Sequence, residues 1–256
     1  MGTGTHQGRS IDLSADVGEL TGDEGRALDL ALIGHVTTAH LACGGHAGDA
    51  RSMRAGVEAC LRAGTRVGAH PSYDDRAGFG RMPSTAAPSA VAASVVAQLE
   101  ALVAITTACG GALESVKPHG QLYHDLEGDE PLQEAVFSAI NDVVPGAIIV
   151  LGAGSAAAPA AHEAGLVPAA EGFMDRRYDA DGRLVPRGQP GAVLEDPEMA
   201  ARQAVLLATA GVQASSTVLR VDSLCVHSDS PTALAVLVAA TDALRREGLR
   251  VRPIER

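Results

Sequence analysis

The sequence predicts an α/β fold, a (β/α) barrel of about seven parallel strands. Three observations predict it. Short apolar runs alternate with long alanine-rich stretches of helical spacing, and strands alternating with helices imply a parallel sheet. The runs are short and apolar, as strands covered on both faces should be. Five of them end in polar, glycine-flanked residues, spread from the first unit to the last. An open doubly wound sheet concentrates such endings at a switch point. A barrel collects them in one ring at the C-terminal ends of its strands.

The elements follow in order. The expected first strand, 10–14, runs into Asp16-Val17-Gly18-Glu19 and precedes a helix over 23–33. Strand 36–42 leads to Cys43-Gly44-Gly45-His46. Asp49 then stands before an Ala/Met/Val/Leu face that closes at Ala63-Gly64, giving a helix over 49–63. Strand 66–70 ends at His70-Pro71. Pro88 or Ser89 opens a helix over 88–109, closed by Gly110-Gly111. Strand 114–118 carries Lys117-Pro118-His119-Gly120 and precedes helix 131–144. Strands 147–151 and 167–171 flank helix 155–164. Helix 196–210, strand 218–226 with Cys225-Val226-His227, and helix 231–247 complete the chain. Residues 1–10, Gly/Thr-rich, are expected to be disordered, and 11–256 to form one barrel domain. Two long loops, 71–87 and 172–195, are Arg-rich and are expected to act as substrate lids.

Composition narrows the function. Aromatics make up 2% with no Trp, which argues against stacking platforms for sugars or single strands. A net charge of −11 makes nucleic acid and anionic membranes poor partners. Four Cys without a C-x-x-C pair, and no apolar N-terminal stretch, point to a reducing, cytoplasmic setting.

The strand ends carry the chemistry. Asp12 and Asp16 fall on one side of the first strand if it continues, and paired carboxylates split their pKa values or hold a cation. His46 follows two glycines that let backbone approach a ligand; Asp49 reads equally as a helix cap. Pro71 fixes the direction of His70. The chain has nineteen Arg and a single Lys, and that Lys117 sits beside His119 at a strand end. A buried Lys readily lowers its pKa, which Arg does not. His124 is expected at the surface. A divalent metal held by His46, His70 and a carboxylate is a further expectation; ligation by Cys43 or Cys225 has no supporting spacing. Gly152-Ala153-Gly154 before a helix imitates a dinucleotide fingerprint but comes too late in the fold. No G-x-x-x-x-G-K-[ST] segment occurs, so no Walker-type ATP site is expected.

At these motifs the sequence resembles the LamB/YcsF family, that of the prokaryotic 5-oxoprolinase A subunits. The segments carrying the likeness are Ile11-Asp12-Leu13 through Glu19, Ala42-Cys43-Gly44 with His46-Ala47-Gly48-Asp49, Gly68-Ala69-His70-Pro71-Ser72, Gly78-Phe79-Gly80-Arg81, Val116-Lys117-Pro118-His119-Gly120, Asp175-Arg176 with Tyr178, Leu184-Val185-Pro186-Arg187 and Cys225-Val226-His227. The resemblance implies a barrel of the glycoside hydrolase/deacetylase kind. It also implies ATP-dependent opening of 5-oxoproline to glutamate together with separate B and C subunits. The chain has Ser14 and His40 where the family usually has Asn.

The expected activity is therefore hydrolysis of a cyclic amide whose oxygen is phosphorylated by partner subunits. Asp12, Asp16, His46, His70, Lys117 and His119 are the expected catalytic residues. Asp16 or His70 would serve as base, Lys117 would stabilise the oxyanion, and His119 would protonate the departing nitrogen. Glu19, Arg81, Arg176, Arg187 and His227 are the expected substrate contacts, the arginines as bidentate clamps. The rival readings are a metal-dependent amidase or deacetylase acting alone and a non-catalytic substrate-binding subunit.

Overall fold

A computed structural model describes residues 9–215, 217–228 and 230–255. Seven parallel strands close on themselves: β1 (Ser10–Val17), β2 (Thr38–Ala42), β3 (Arg66–His70), β4 (Leu113–Val116), β5 (Ile148–Gly152), β6 (Val167–Phe173) and β9 (Ser223–His227). Each pairs with the next in that order, and β9 pairs back onto β1, with Asp12 opposite Ser223 and Asp16 opposite His227. The barrel and its strand number are those the alternating pattern predicts. Five of the seven strands begin and end within about two residues of the expected positions.

The alternation within β1 shows how the barrel is filled. Ile11, Leu13, Ala15 and Val17 face outward into one apolar core shared with Leu32, Val57, Leu99, Val136 and Leu237 of the surrounding helices. Asp12, Ser14 and Asp16 face inward and are buried, as a period of two requires. The interior is polar around β1 but apolar on the far side. There Ile148, Val150 and Ala169 pack with Ile254 near the chain end.

The helices are α1 (Gly22–Ile33), α2 (Ala50–Ala63), α3 (Pro88–Ala108), α4 (Gly120–Asp125), α5 (Glu130–Val143), α6 (Ala158–Glu163), α7 (Pro197–Ala210) and α8 (Ala233–Arg246). Asp49 is the cap of α2: it accepts from the Ser52 backbone N–H while Ser52 Oγ accepts from its own, a reciprocal capping box. That settles the even choice between cap and ligand. Helix α3 is apolar enough by length and composition to cross a membrane. It instead packs beside α5, with Val91, Val95, Leu99 and Leu102 in the core.

Three expectations are corrected. Residues 1–8 of the segment expected to be disordered lie outside the described residues, but Ser10 already pairs with Arg250 in β1. The strand expected at 218–226 is two things. A hairpin of β7 (Val212–Ala214) and β8 (Thr217–Leu219) comes first, and β9 starts only at Ser223. Asp222 divides them, because its backbone and carboxylate are taken by Ala170 of β6. The short helix α4 and the two-residue strand β10 (Arg250–Val251) are too brief to show in periodicity. Finally, β1 and β6 run to Val17 and Phe173, so Asp16 lies inside its strand rather than after it, and Glu171 inside its strand rather than at its end.

Candidate active site

One cavity of about 460 Å³ opens at the strand C-termini, lined by Asp16, Glu19, His70, Lys117, His119 and His227. Arg81, Arg176 and Arg187 line it too, brought in by the two long loops. Loop 172–195 is folded by bridges between Arg176 and Val193 and between Tyr178 and Leu184. Loop 71–87 lies across the histidines. Phe79 and Gly80 both adopt positive φ, and a Cβ at Gly80 would meet the side chains of His119 and His46 at 3.0 Å. The close approach therefore needs glycine.

Lys117 lies at the centre. Its Nζ donates to Asp16 Oδ2 at 3.0 Å and lies 2.8 Å from Glu171 Oε1 and 3.2 Å from Cys225 Sγ. Burial alone would lower its pKa. Asp16, Cys225 and Glu171 outweigh burial and raise it well above the usual lysine value, so the group keeps its charge. The two carboxylates divide the cost. Burial works against the Asp16 carboxylate, but Lys117, His40 and His227 overcome it and lower its pKa. Burial dominates at Glu171 and pushes it up to about 7. One ammonium thus faces one ionised carboxylate and one that holds its proton near neutrality.

The histidines gather round Glu19. Its Oε1 lies 3.1 Å from His46 Nε2, 3.2 Å from His119 Nδ1 and 3.6 Å from His70 Nε2. Burial disfavours the Glu19 carboxylate, but the imidazoles of His119 and His46 lower its pKa overall. Two backbone carbonyls set the tautomers. His70 Nδ1 donates to Lys117 O at 2.6 Å and His119 Nε2 donates to Phe79 O at 2.9 Å, since a carbonyl only accepts. In neutral rings, lone pairs then remain on His70 Nε2 and His119 Nδ1, which face each other at 3.0 Å. Two bare nitrogens and a carboxylate oxygen at this spacing require a proton or a cation between them. The ligand atoms of Glu19, His46, His70 and His119 all lie within 4.8 Å of one another. The donor set is three imidazoles and one carboxylate, and His70 and His119 are each backed by a carbonyl on the other ring nitrogen, as in sites for zinc-like divalent ions. The residues fit such an ion.

The structure therefore brings together Asp16, Glu19, His46, His70, Lys117, His119 and His227, with His46 behind the cavity wall and stacked on His119 at 3.6 Å between ring centroids. Asp12 is the exception. It lies deeper, outside the cavity, with Oδ1 accepting from Thr37 and Thr38 and Oδ2 from Ser223. Burial raises its pKa, and nothing reactive touches it, so its expected catalytic role is withdrawn. His124, expected at the surface, is exposed but lines the cavity mouth. Glu171, Asp175, Tyr123 and His40 are not among the expected site residues. Glu171 ends an expected strand and could be read as the other strand-end acids are. His40 lies inside a strand, where only the register reveals its neighbour Asp16.

Residues 11–256 match the LamB/YcsF family. The chain belongs to that family. It is 41% identical over 247 residues to the A subunit of 5-oxoprolinase from Paracidovorax citrulli (strain AAC00-1), covering 95% of this chain and 98% of the relative. Its fold matches a solved lactam utilization protein from Thermus thermophilus with a TM-score of 0.87 and 36% identity, over 96% of this chain and 100% of the other. A family 4 carbohydrate esterase from Streptomyces lividans shares the fold alone, at a TM-score of 0.52 and 14% identity over 97% of this chain and 94% of the esterase. The family assignment leaves the Ser14 and His40 departures in place. His40 fits because Gly68 opposite it has no side chain: a Cβ there would come within 2.5 Å of the imidazole.

Proposed function

We propose that this chain is the ring-opening component of an ATP-dependent 5-oxoprolinase, converting 5-oxo-L-proline to L-glutamate in the cytoplasm with separate B and C subunits. The whole-length identity of 41% to a 5-oxoprolinase A subunit carries the reading. The chemistry of the cavity agrees with it. A lactam resists water because its amide carbon is a poor electrophile. Phosphorylation of the amide oxygen removes that resistance. The chain has no phosphate-loop segment, so ATP chemistry is assigned to the partners. Lys117 faces the cavity as a fixed ammonium, suited to an oxyanion that develops there. Arg81, Arg176 and Arg187 supply planar donors for carboxylate and phosphate. Asp16, ionised, lining the cavity and 3.4 Å from His70 Nε2, is the candidate base. Glu19, His46, His70 and His119 would hold a divalent ion, which supplies Lewis acidity and a more acidic water when bound.

The test is reconstitution. Glutamate release from 5-oxoproline is followed for the purified chain, with and without ATP and the two partner subunits. The expected result is turnover only in the complete mixture. Robust opening by the chain alone without ATP would overturn the reading and favour a stand-alone amidase. Elemental analysis of the same preparation should find about one zinc-like ion per chain, lost in His46→Ala; equal metal content in both would remove the metal from the proposal.

A further inference from the structure

The cavity contains an imidazole that neither the lysine triad nor the Glu19 cluster uses. His227 ends β9, and Asp175 follows β6 on the neighbouring strand. Asp175 is 2% exposed, and both oxygens of its carboxylate face His227, with the Arg187 charge also acting on it. It accepts from the His227 backbone N–H at 3.0 Å, and His227 Nδ1 lies 3.0 and 3.1 Å from its two oxygens. A carboxylate only accepts, so Nδ1 bears hydrogen. His227 lies flat against Phe173, with centroids 5.1 Å apart and planes 15° off parallel. Both rings line the cavity. The imidazole is thus fixed in tautomer by Asp175 and in plane by Phe173. Its Nε2 is left for whatever occupies the cavity.

His119 differs on each point. Its Nε2 is committed to Phe79 O and its Nδ1 to the Glu19 cluster. A ring held at both nitrogens is poorly placed to pass a proton to substrate. Across the sheet from His227, in register, stands Asp16. Acid and base candidates therefore flank the cavity from neighbouring strands.

We propose that Asp175 and His227 form an acid–base dyad in which His227 Nε2 delivers a proton to the lactam nitrogen as the ring opens. The proposal rests on the lactam-opening reading above and adds the residue that handles the leaving group. Water forms a bond to the ring carbon of the phosphorylated lactam, the carbon–nitrogen π pair moves to nitrogen, and the proton that water gives to a cavity base passes to that nitrogen. The remaining carbon–nitrogen bond then breaks with its electron pair on nitrogen, the added oxygen gives up its second proton to become a carbonyl, and a second water hydrolyses the resulting acyl phosphate to carboxylate and inorganic phosphate. The imidazolium of His227 donates its Nε2 proton to that nitrogen and becomes neutral, with Nδ1–H still on Asp175. Solvent returns the proton for the next cycle. Asp175 itself gives up nothing: it orients the ring and stabilises its charged form, a positioning residue. An amine expelled without a proton is a very poor leaving group, which is why general acids are worth roughly 10²–10⁴ in rate.

The test uses the reconstituted complex with partner subunits and ATP, comparing 5-oxoproline with its thiolactone analogue, in which sulfur replaces the ring nitrogen. Sulfur departs as a thiolate and needs no acid. His227→Ala should lower kcat on the lactam about 10²–10⁴-fold with KM changed less than about threefold, and added imidazole should restore part of it. Asp175→Asn should lower kcat by about tenfold or more in the same direction. On the thiolactone both variants should stay within about threefold of the parent complex, which also shows that they fold. Equal losses on lactam and thiolactone, or a loss confined to KM, would overturn the dyad and leave His227 as a substrate contact. A parent complex inactive on 5-oxoproline would overturn the lactam reading itself, and the assignment of this acid with it.

Discussion

Asp12 and Asp16 share the inner face of β1 with Ser14 between them, and both are buried. Their surroundings differ in kind. Asp12 is closed in by three hydroxyls, from Thr37, Thr38 and Ser223, and it ties the first strand to both neighbours. Asp16 meets charge and imidazole: Lys117 at 3.0 Å, His70 at 3.4 Å and His40 at 3.8 Å. Its Oδ1 has no hydrogen-bond partner. Hydroxyls can saturate a carboxylate with no cavity beside it, which leaves a structural knot. A carboxylate balanced by an ammonium at the cavity wall keeps unspent acceptor capacity and can respond when substrate arrives. The same residue type, four positions on, passes from architecture to chemistry because the barrel changes from closed interior to open mouth.

The largest expected effect comes from the upper layer. Asp16→Asn keeps the shape, removes the base and deprives Lys117 of its ionised partner. Turnover of the complex should fall about 10²–10⁴-fold while a thermal melt still reports a folded chain. Retention of more than half the activity would erase the distinction between the layers. In the lower layer the expected loss is of stability. Asp12→Asn puts an amide donor against hydroxyl donors, leaving one mismatched buried contact at a cost of about 1–3 kcal/mol. Urea unfolding should show it, with activity per folded molecule within about threefold of the parent. A catalytic loss like that of Asp16→Asn would return Asp12 to the site.

The smallest effect sharpens the boundary between the layers. His40 Nε2 is paired with Ser115 Oγ at 2.9 Å, and its other nitrogen faces Asp16. Burial, aided by Lys117, lowers its pKa to about 3. An unfolded histidine titrates near 6.5. Between those values the unfolded chain binds the extra proton, so stability rises with pH there and falls on acidification. His40→Asn, the residue usual in the family, removes that proton. The loss of stability between pH 6.5 and pH 5 should become shallower by about 1 kcal/mol per pH unit, with turnover little changed. An unaltered slope in urea unfolding would mean that His40 is already charged in the folded chain.

Much of this is legible in the chain. Alternation within β1 marks Asp12 and Asp16 as neighbours on one face. The lone Lys117 and the glycine-flanked histidines mark the strand ends, and Asp49 marks a helix start. Other parts are not. Asp12 and Asp16 look alike in sequence, since alternation gives a side of the strand but not a depth in the barrel. Lys117 is visible as the lone lysine at a strand end, but the two carboxylates that hold its charge are not. Glu171 comes from another strand, and its place at an expected strand end gives no sign that it meets Lys117.

The sequence by itself determined the order of strands and helices, the inward and outward faces, and the stock of ionisable groups at the strand ends. Those depend on periodicity and on residues close in the chain. Only the tertiary structure decided which groups meet. Closing the parallel sheet places Asp16 between residues 40 and 227, seats Lys117 between Asp16 and Glu171, and draws Glu19, His46, His70 and His119 into one cluster. Charge states follow from distance and burial, and both are set by the closure of the ring rather than by any stretch of chain.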